Sequence, residues 1–145
     1  MKIVVIGGVA GGMSFAARMR RLDASAEITV VEKSGFVSYA NCGLPYYVGG
    51  VITDEAALVL QTPASLWKRF RLDVRVSSEV LRIDRDAKKV DVRNHVSGEE
   101  YSLEYDKLVF SPGASPVRPP IPGIERALSL RNVEDVKNMF DVVSH

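Results

Sequence analysis

The stretch KIVVIGGVAGG, residues 2–12, leaves this chain few ways to fold. Lys2 opens an apolar run, IVVI, that Gly7 and Gly8 stop at once. Such a run, with no polar alternation, reads as a strand buried on both faces. Residues 11–22, GGMSFAARMRRL, carry helical spacing, and residues 27–32, EITVVE, form a second β-branched strand. Strand, glycine turn, helix and strand make a βαβ unit, which implies parallel pairing and a right-handed crossover. The pattern predicts an α/β fold with a Rossmann-like, doubly wound parallel sheet.

Glycines between a strand and a helix permit a tight turn and close backbone approach. The N–H groups of the helix that follows can bind a pyrophosphate. Glu32 ends the second strand, 20 residues after Gly12. A carboxylate there can accept hydrogen bonds from both ribose hydroxyls of an adenosine. With Gly7 and Gly12 as first and third glycines of G-x-G-x-x-G, Val9 stands in place of the second. The same glycines would also suit a βα turn without a ligand. Strand, helix and spaced glutamate together favour the nucleotide.

Downstream, Thr62 and Pro63 read as N-cap and first residue of a helix, TPASLWKRF, in which Trp67 and Phe70 are expected to pack. DVRV reads as a third short strand. Residues 78–104 then change character, alternating apolar and polar residues with turns at 84–87 and 97–98. That is the pattern of an antiparallel β-meander with one wet face, inserted as a crossover. KLVFS returns to the buried type, PGASPVRPPIPG is irregular, ALSLR reads as a last strand, and Asn132 caps a final helix.

The charges nearly cancel, at +1, which gives no electrostatic case for nucleic acid or an anionic membrane. The apolar runs are too short for a membrane span, and glycines interrupt the N-terminal one where a signal peptide would continue. The chain holds one cysteine, so neither an internal disulfide framework nor a multi-cysteine metal site is expected, and a reducing, cytoplasmic setting fits best. The carboxylates show no metal-ligand spacing, and His95 and His145 read as exposed histidines without catalytic roles.

That cysteine, Cys42, lies in a polar, Gly- and Pro-punctuated loop, SYANCGLPYY. A helix starting after Asn41 would place the thiol in a first turn, where unpaired backbone N–H groups favour the reactive thiolate. On the first helix Ser14, Arg18 and Arg21 form a stripe at i, i+4 and i+7, beside an apolar row of Phe15, Met19 and Leu22. From spacing alone an ordinary solvated face is the simpler reading of that stripe, although guanidinium groups suit phosphate. Arg71 is a further basic candidate.

IGGVAGG, VVEK, SYANCGLPYY and YDKLVFSPGASP follow one another along the chain. In that order they resemble the flavin-dependent pyridine nucleotide–disulfide oxidoreductases. ANCGLPY resembles the single-cysteine branch: coenzyme A-disulfide reductases, related persulfide reductases and NADH oxidases. The resemblance implies that the dinucleotide is FAD. The turn of Gly7, Gly8, Val9, Ala10, Gly11 and Gly12 would hold its pyrophosphate, and Glu32 with Lys33 its adenosine end. Ser111, Pro112, Gly113 and Ala114 would make a second flavin contact, although from the residues alone they read as a strand-ending turn. Cys42 would lie by the isoalloxazine ring and form a mixed disulfide with coenzyme A, its second sulfur coming from the substrate. Ser14, Arg18, Arg21, Ser38 and Asn41 match positions that contact coenzyme A in that family.

The resemblance also implies what lies elsewhere. Residues 1–145 would be an N-terminal FAD-binding portion; a domain for NADH or NADPH, a later flavin-domain segment and a dimerisation domain have no counterpart here. The full-length form would be a homodimer acting on coenzyme A disulfide or persulfide. An NADH oxidase working through a Cys42 sulfenate, and a non-catalytic dinucleotide-binding module, are the alternatives.

Overall fold

The computed structural model describes residues 1–143. The strands are β1 (Lys2–Ile6), β2 (Glu27–Val31), β3 (Asp73–Arg75), β4 (Ser78–Asp84), β5 (Lys89–Asn94), β6 (Glu100–Glu104) and β7 (Lys107–Phe110). The helices are α1 (Ala10–Leu22), α2 (Leu44–Val48), α3 (Pro63–Phe70) and α4 (Val133–Val143). Contacts divide the chain into two units: Met1–Ser38 with Gln61–Pro112, and Tyr39–Leu60 with the chain from Gly113 onward.

The first unit holds a four-stranded parallel sheet in the order β3-β2-β1-β7 and a three-stranded antiparallel sheet, β4-β5-β6. The apolar run of β1 is explained by cover on both of its faces. Ile3 and Val5 join Ile28 and Val30 in a core with Met13 and Ala16 of α1 and Leu66 of α3. Val4 and Val31, pointing the other way, meet Val90 and Val92 of β5 and Tyr105. Each such side chain, fully withdrawn from water, contributes roughly 1.5–3 kcal/mol. The meander is inserted between β3 and β7 as its alternation requires: Val90 and Val92 are buried while Lys89 and Arg93 face water.

Local chemistry sets the helix ends. The Thr62 hydroxyl accepts from the Ser65 N–H at 3.2 Å and the Ser65 hydroxyl from the Thr62 N–H at 2.9 Å, a reciprocal cap that starts α3 at Pro63. Arg71 ends that helix in the left-handed region, φ 51°. Phe70 packs on the core as expected; Trp67 does not, being 52% exposed with the Arg71 guanidinium 5.5 Å over its ring. The i+4 position that carries Arg71 turns Trp67 to the outer face, where its ring stacks on the cation.

In the second unit, Asn41–Gly43 is a single 3-10 turn running directly into α2. Tyr39, Leu44, Leu58, Val133 and Val136 are among its buried apolar side chains, and Tyr47 and Phe140 meet edge to face at 5.2 Å. The Asn132 side chain caps α4 by accepting from the Asp135 N–H at 2.7 Å. ALSLR forms no strand. Its alternation was sound, but a strand needs a neighbouring backbone ladder, and among the described residues it has none. His145 lies outside the described residues.

Candidate dinucleotide site and cysteine turn

The order of the parallel strands creates the first site. The chain steps from β1 to β2 to β3 on one side, then returns as β7 on the other side of β1. The crevice at the carboxyl ends of β1 and β7 is therefore a topological switch point, where ligands bind in open α/β sheets. Its walls are fixed by main-chain bonds. Gly7 N–H donates to the Val31 carbonyl at 2.9 Å, and Ser111 N–H to the Ile6 carbonyl at 2.8 Å.

Three glycines are required there, Gly8 among them, since a Cβ on it would stand 2.9 Å from the Glu32 Cβ. Gly7 has φ +99°, and a Cβ on it would stand 2.0 Å from the Ser111 carbonyl oxygen. A Cβ on Gly12 would stand 1.8 Å from the Gly7 carbonyl oxygen. Val9, in place of a second glycine, has φ −105°, outside the left-handed range that favours glycine. Val9 opens α1 without a side-chain cap, and the first turn carries no acidic residue. A helix start without its own cap or carboxylate suits an external anion. Ala10 and Gly11 are exposed at this end.

Glu32 points at the turn. One carboxylate oxygen accepts from Gly8 N–H at 2.6 Å, the other from Ser34 N–H at 2.8 Å. A carboxylate has about four acceptor directions, so capacity for ribose hydroxyls is left. Ser38 adds to the enclosure: its N–H donates to the Gly8 carbonyl at 2.9 Å while its own backbone is left-handed, φ 51°. The Lys33 ammonium lies 2.8 Å from a Glu79 oxygen. Cradle, uncapped helix start and aimed carboxylate fit the adenosine diphosphate portion of a dinucleotide.

Ser14, Arg18 and Arg21 are exposed on α1, as their spacing predicts. Leu22 is 65% exposed and so leaves the apolar row of Phe15 and Met19, which do pack on the core. The intervening Arg20 has a different task. Its guanidinium donates to the carbonyls of Phe70 (2.8 Å), Arg71 (3.1 Å) and Ala24 (2.7 Å), tying the end of α1 to the end of α3. The Arg71 carbonyl belongs to that junction, while its guanidinium is exposed over the Trp67 ring.

Cys42 occupies the second unit, exposed in the first turn of the 41–48 helical stretch. Asn41 is exposed beside it and donates from Nδ2 to the Arg131 carbonyl at 3.2 Å. Gly113 has φ +75°, and a Cβ there would stand 2.8 Å from an Arg131 guanidinium nitrogen. Arg131, which sequence reading passed over, thus brings its carbonyl to Asn41 beside the cysteine and its guanidinium to Gly113. The 111–114 motif is divided, Ser111 and Pro112 falling in the first unit and Gly113 and Ala114 in the second. His95 is exposed, with Nε2 3.0 Å from Glu79. Among the described residues no group of three or more His, Cys, Asp or Glu side chains is placed to hold a metal ion, and no helix is long and apolar enough to cross a membrane.

Residues 1–143 match the family described as pyridine nucleotide-disulphide oxidoreductase. The chain belongs to that family. It is 38% identical over 144 residues to the coenzyme A disulfide reductase of Staphylococcus epidermidis, covering 99% of this chain and 33% of the relative. The structure of reduced Bacillus anthracis CoADR-RHD superposes with a TM-score of 0.95 at 50% identity, over 99% of this chain and 26% of that one. An NAD-dependent persulfide reductase from A. fulgidus superposes at 0.92 with 39% identity, over 99% and 27%. The chain therefore spans about a third of the length of the curated relatives it matches. The Rossmann-like α/β expectation, with its antiparallel meander, is borne out.

Proposed function

We propose that this chain is the FAD-binding N-terminal part of an NAD(P)H-dependent reductase of coenzyme A disulfide or of a coenzyme A persulfide. The observation that carries the reading is the exposed Cys42, the chain's sole thiol, at the start of a helical turn. The similarity to a coenzyme A disulfide reductase and a persulfide reductase supports it.

The chemistry that FAD supplies when bound is two-electron transfer from a reduced nicotinamide to a disulfide. Gly7, Gly8, Val9, Ala10, Gly11 and Gly12 would hold its pyrophosphate on the α1 N–H groups, Glu32 and Lys33 its adenosine end, and Ser111 through Ala114 a further part. Ser14, Arg18, Arg21, Ser38 and Asn41 would hold the phosphates and polar groups of coenzyme A. The Cys42 thiolate attacks one sulfur of the substrate disulfide. That S–S bond breaks, a new one forms between Cys42 and one coenzyme A, and the other coenzyme A leaves as thiolate. Two electrons then cleave the mixed disulfide, restoring the Cys42 thiolate and releasing the second coenzyme A. The full-length protein would be a cytoplasmic homodimer.

Cys42→Ser in the full-length protein tests this. The variant should keep flavin and its reduction by NADH or NADPH, and lose both coenzyme A disulfide turnover and the reductant-sensitive coenzyme A adduct seen by mass. Turnover of coenzyme A disulfide at the wild-type rate by the serine variant would defeat the reading. Cofactor-dependent oxygen consumption without disulfide turnover in the wild type would favour the oxidase. A colourless protein that binds adenine nucleotide and has no reactive thiol would favour a non-catalytic module.

A further inference from the structure

The start of β4 is stitched to the residues that follow β2. Ser78 N–H donates to the Glu32 carbonyl at 2.9 Å, and Ser77 N–H to the Ser34 carbonyl at 2.8 Å. Ser77 is left-handed, φ 49°, and its carbonyl accepts the His95 N–H at 2.8 Å. Three charged or titratable side chains meet on this frame, next along the chain from the carboxylate that faces the glycine turn. Lys33 Nζ lies 2.8 Å from Glu79 Oε1, and His95 Nε2 lies 3.0 Å from Glu79 Oε2. The Lys33 hydrogen bond, and after it the one to His95, holds the Glu79 carboxyl below its ordinary range.

One carboxylate thus serves two basic groups from two different elements. Among the described residues, Glu79 on β4 is the charged group that meets His95, and Lys33, after β2, is reached through it. With the imidazole neutral, Glu79 neutralises Lys33. With the imidazole protonated, the same carboxylate is shared between two cations, the cluster turns net positive, and the Lys33 ammonium is less firmly held. A dinucleotide pyrophosphate is an anion, and histidine is the side chain whose charge changes near neutral pH.

Resting on the dinucleotide reading of the Gly7–Gly12 turn, we propose that Glu79 and His95 are positioning residues for Lys33, and that protonated His95 strengthens binding of the adenosine diphosphate end of an adenine dinucleotide. Neither residue touches the ligand; both act by setting how much of the Lys33 charge reaches it. All three side chains are at least partly exposed, so their exchange should leave the fold intact.

The test is the affinity of FAD for the full-length apoprotein at low salt, read from flavin fluorescence between about pH 5.5 and 8.5, the range over which a histidine side chain changes charge. FAD carries the pyrophosphate without a terminal phosphate that would titrate in that range, and its fluorescence reports the flavin site and not the nicotinamide-nucleotide domain. Wild-type affinity should fall about threefold as pH rises, the scale of one partly screened charge near an anion. His95→Gln should be flat at the weaker, high-pH level. Glu79→Gln should be flat at the tighter level, because Lys33 is no longer neutralised. A flat wild-type profile, or an unchanged slope in His95→Gln, overturns this proposal and leaves the dinucleotide reading standing. Absence of binding at every pH, with a normal melting curve, overturns both.

Discussion

The two units carry their candidate residues on different kinds of backbone. In the first, the glycine turn, Glu32 and Ser111 sit at the ends of sheet strands whose both faces are packed, and both large clusters of buried apolar side chains belong to it. In the second, Cys42 sits on a turn, Gly113 on irregular chain, and apolar side chains such as Val51 (75%) and Val117 (89%) stand in water. A binding cradle needs main-chain groups fixed to a fraction of an ångström, and a packed sheet supplies that. The disulfide exchange proposed for Cys42 needs access for a large partner, and an exposed turn supplies that.

One substitution made in each unit breaks or sharpens this contrast. Gly12→Ala drives a Cβ to 1.8 Å from the Gly7 carbonyl oxygen, and backbone there cannot yield without moving β1 or α1. The expected loss is about 3–5 kcal/mol by denaturant unfolding. Gly50→Ala meets no atom within 4 Å, so only its φ of +76° is strained. It should cost about 1 kcal/mol. Equal losses would mean that the cradle is no more tightly built than the loop.

What could be read from the chain divides along the same line. The β1–α1–β2 order, the reach of Glu32 toward Gly8 and the meander were legible, because each rests on periodicity or on a glycine at a fixed offset. The helical turn that carries Cys42 was legible too, its expected start after Asn41 falling within one residue of the observed Asn41–Gly43 turn. Leu128 and Leu130 misled: their alternation suits a strand, and only tertiary structure decides whether a partner is present. Arg20 was hidden beside two basic neighbours, Arg18 and Arg21, since nothing local distinguishes a guanidinium aimed at a distant carbonyl from one aimed at water. Ser77 and Ser38, both left-handed, carry no composition signal at all.

Arg20 gives the next prediction in size. Arg20→Ala leaves the carbonyls of Phe70, Arg71 and Ala24 without their charged donor. The first unit should lose about 2 kcal/mol, the scale for hydrogen bonds to a charged group. Arg20→Lys should restore only part, because an ammonium cannot reproduce the fork. In the second unit, Asn132→Ala removes the cap on Asp135 N–H and should cost α4 about 1 kcal/mol. Amide exchange should quicken in α4 while β1 and β2 keep their protection; quickening across both units would show that they open together.

Arg21 is the smallest and most selective test. It is one residue from Arg20 but exposed, on the stripe shared with Ser14 and Arg18. An exposed guanidinium adds little to folding, so Arg21→Ala should leave the unfolding midpoint within about 0.5 kcal/mol of wild type. Its effect should appear where a phosphate arrives. In the full-length protein the variant should raise KM for coenzyme A disulfide about three- to tenfold, the loss of one solvated charge-assisted contact. KM for a small disulfide without phosphates should not move, since the thiol exchange at Cys42 is untouched. Added salt should shrink the difference between wild type and variant, because screening weakens the contact in the wild type alone. An equal rise for both disulfides would place Arg21 with Arg20 as a structural residue. The phosphate-binding face of α1 would then have to be Arg18 alone or absent.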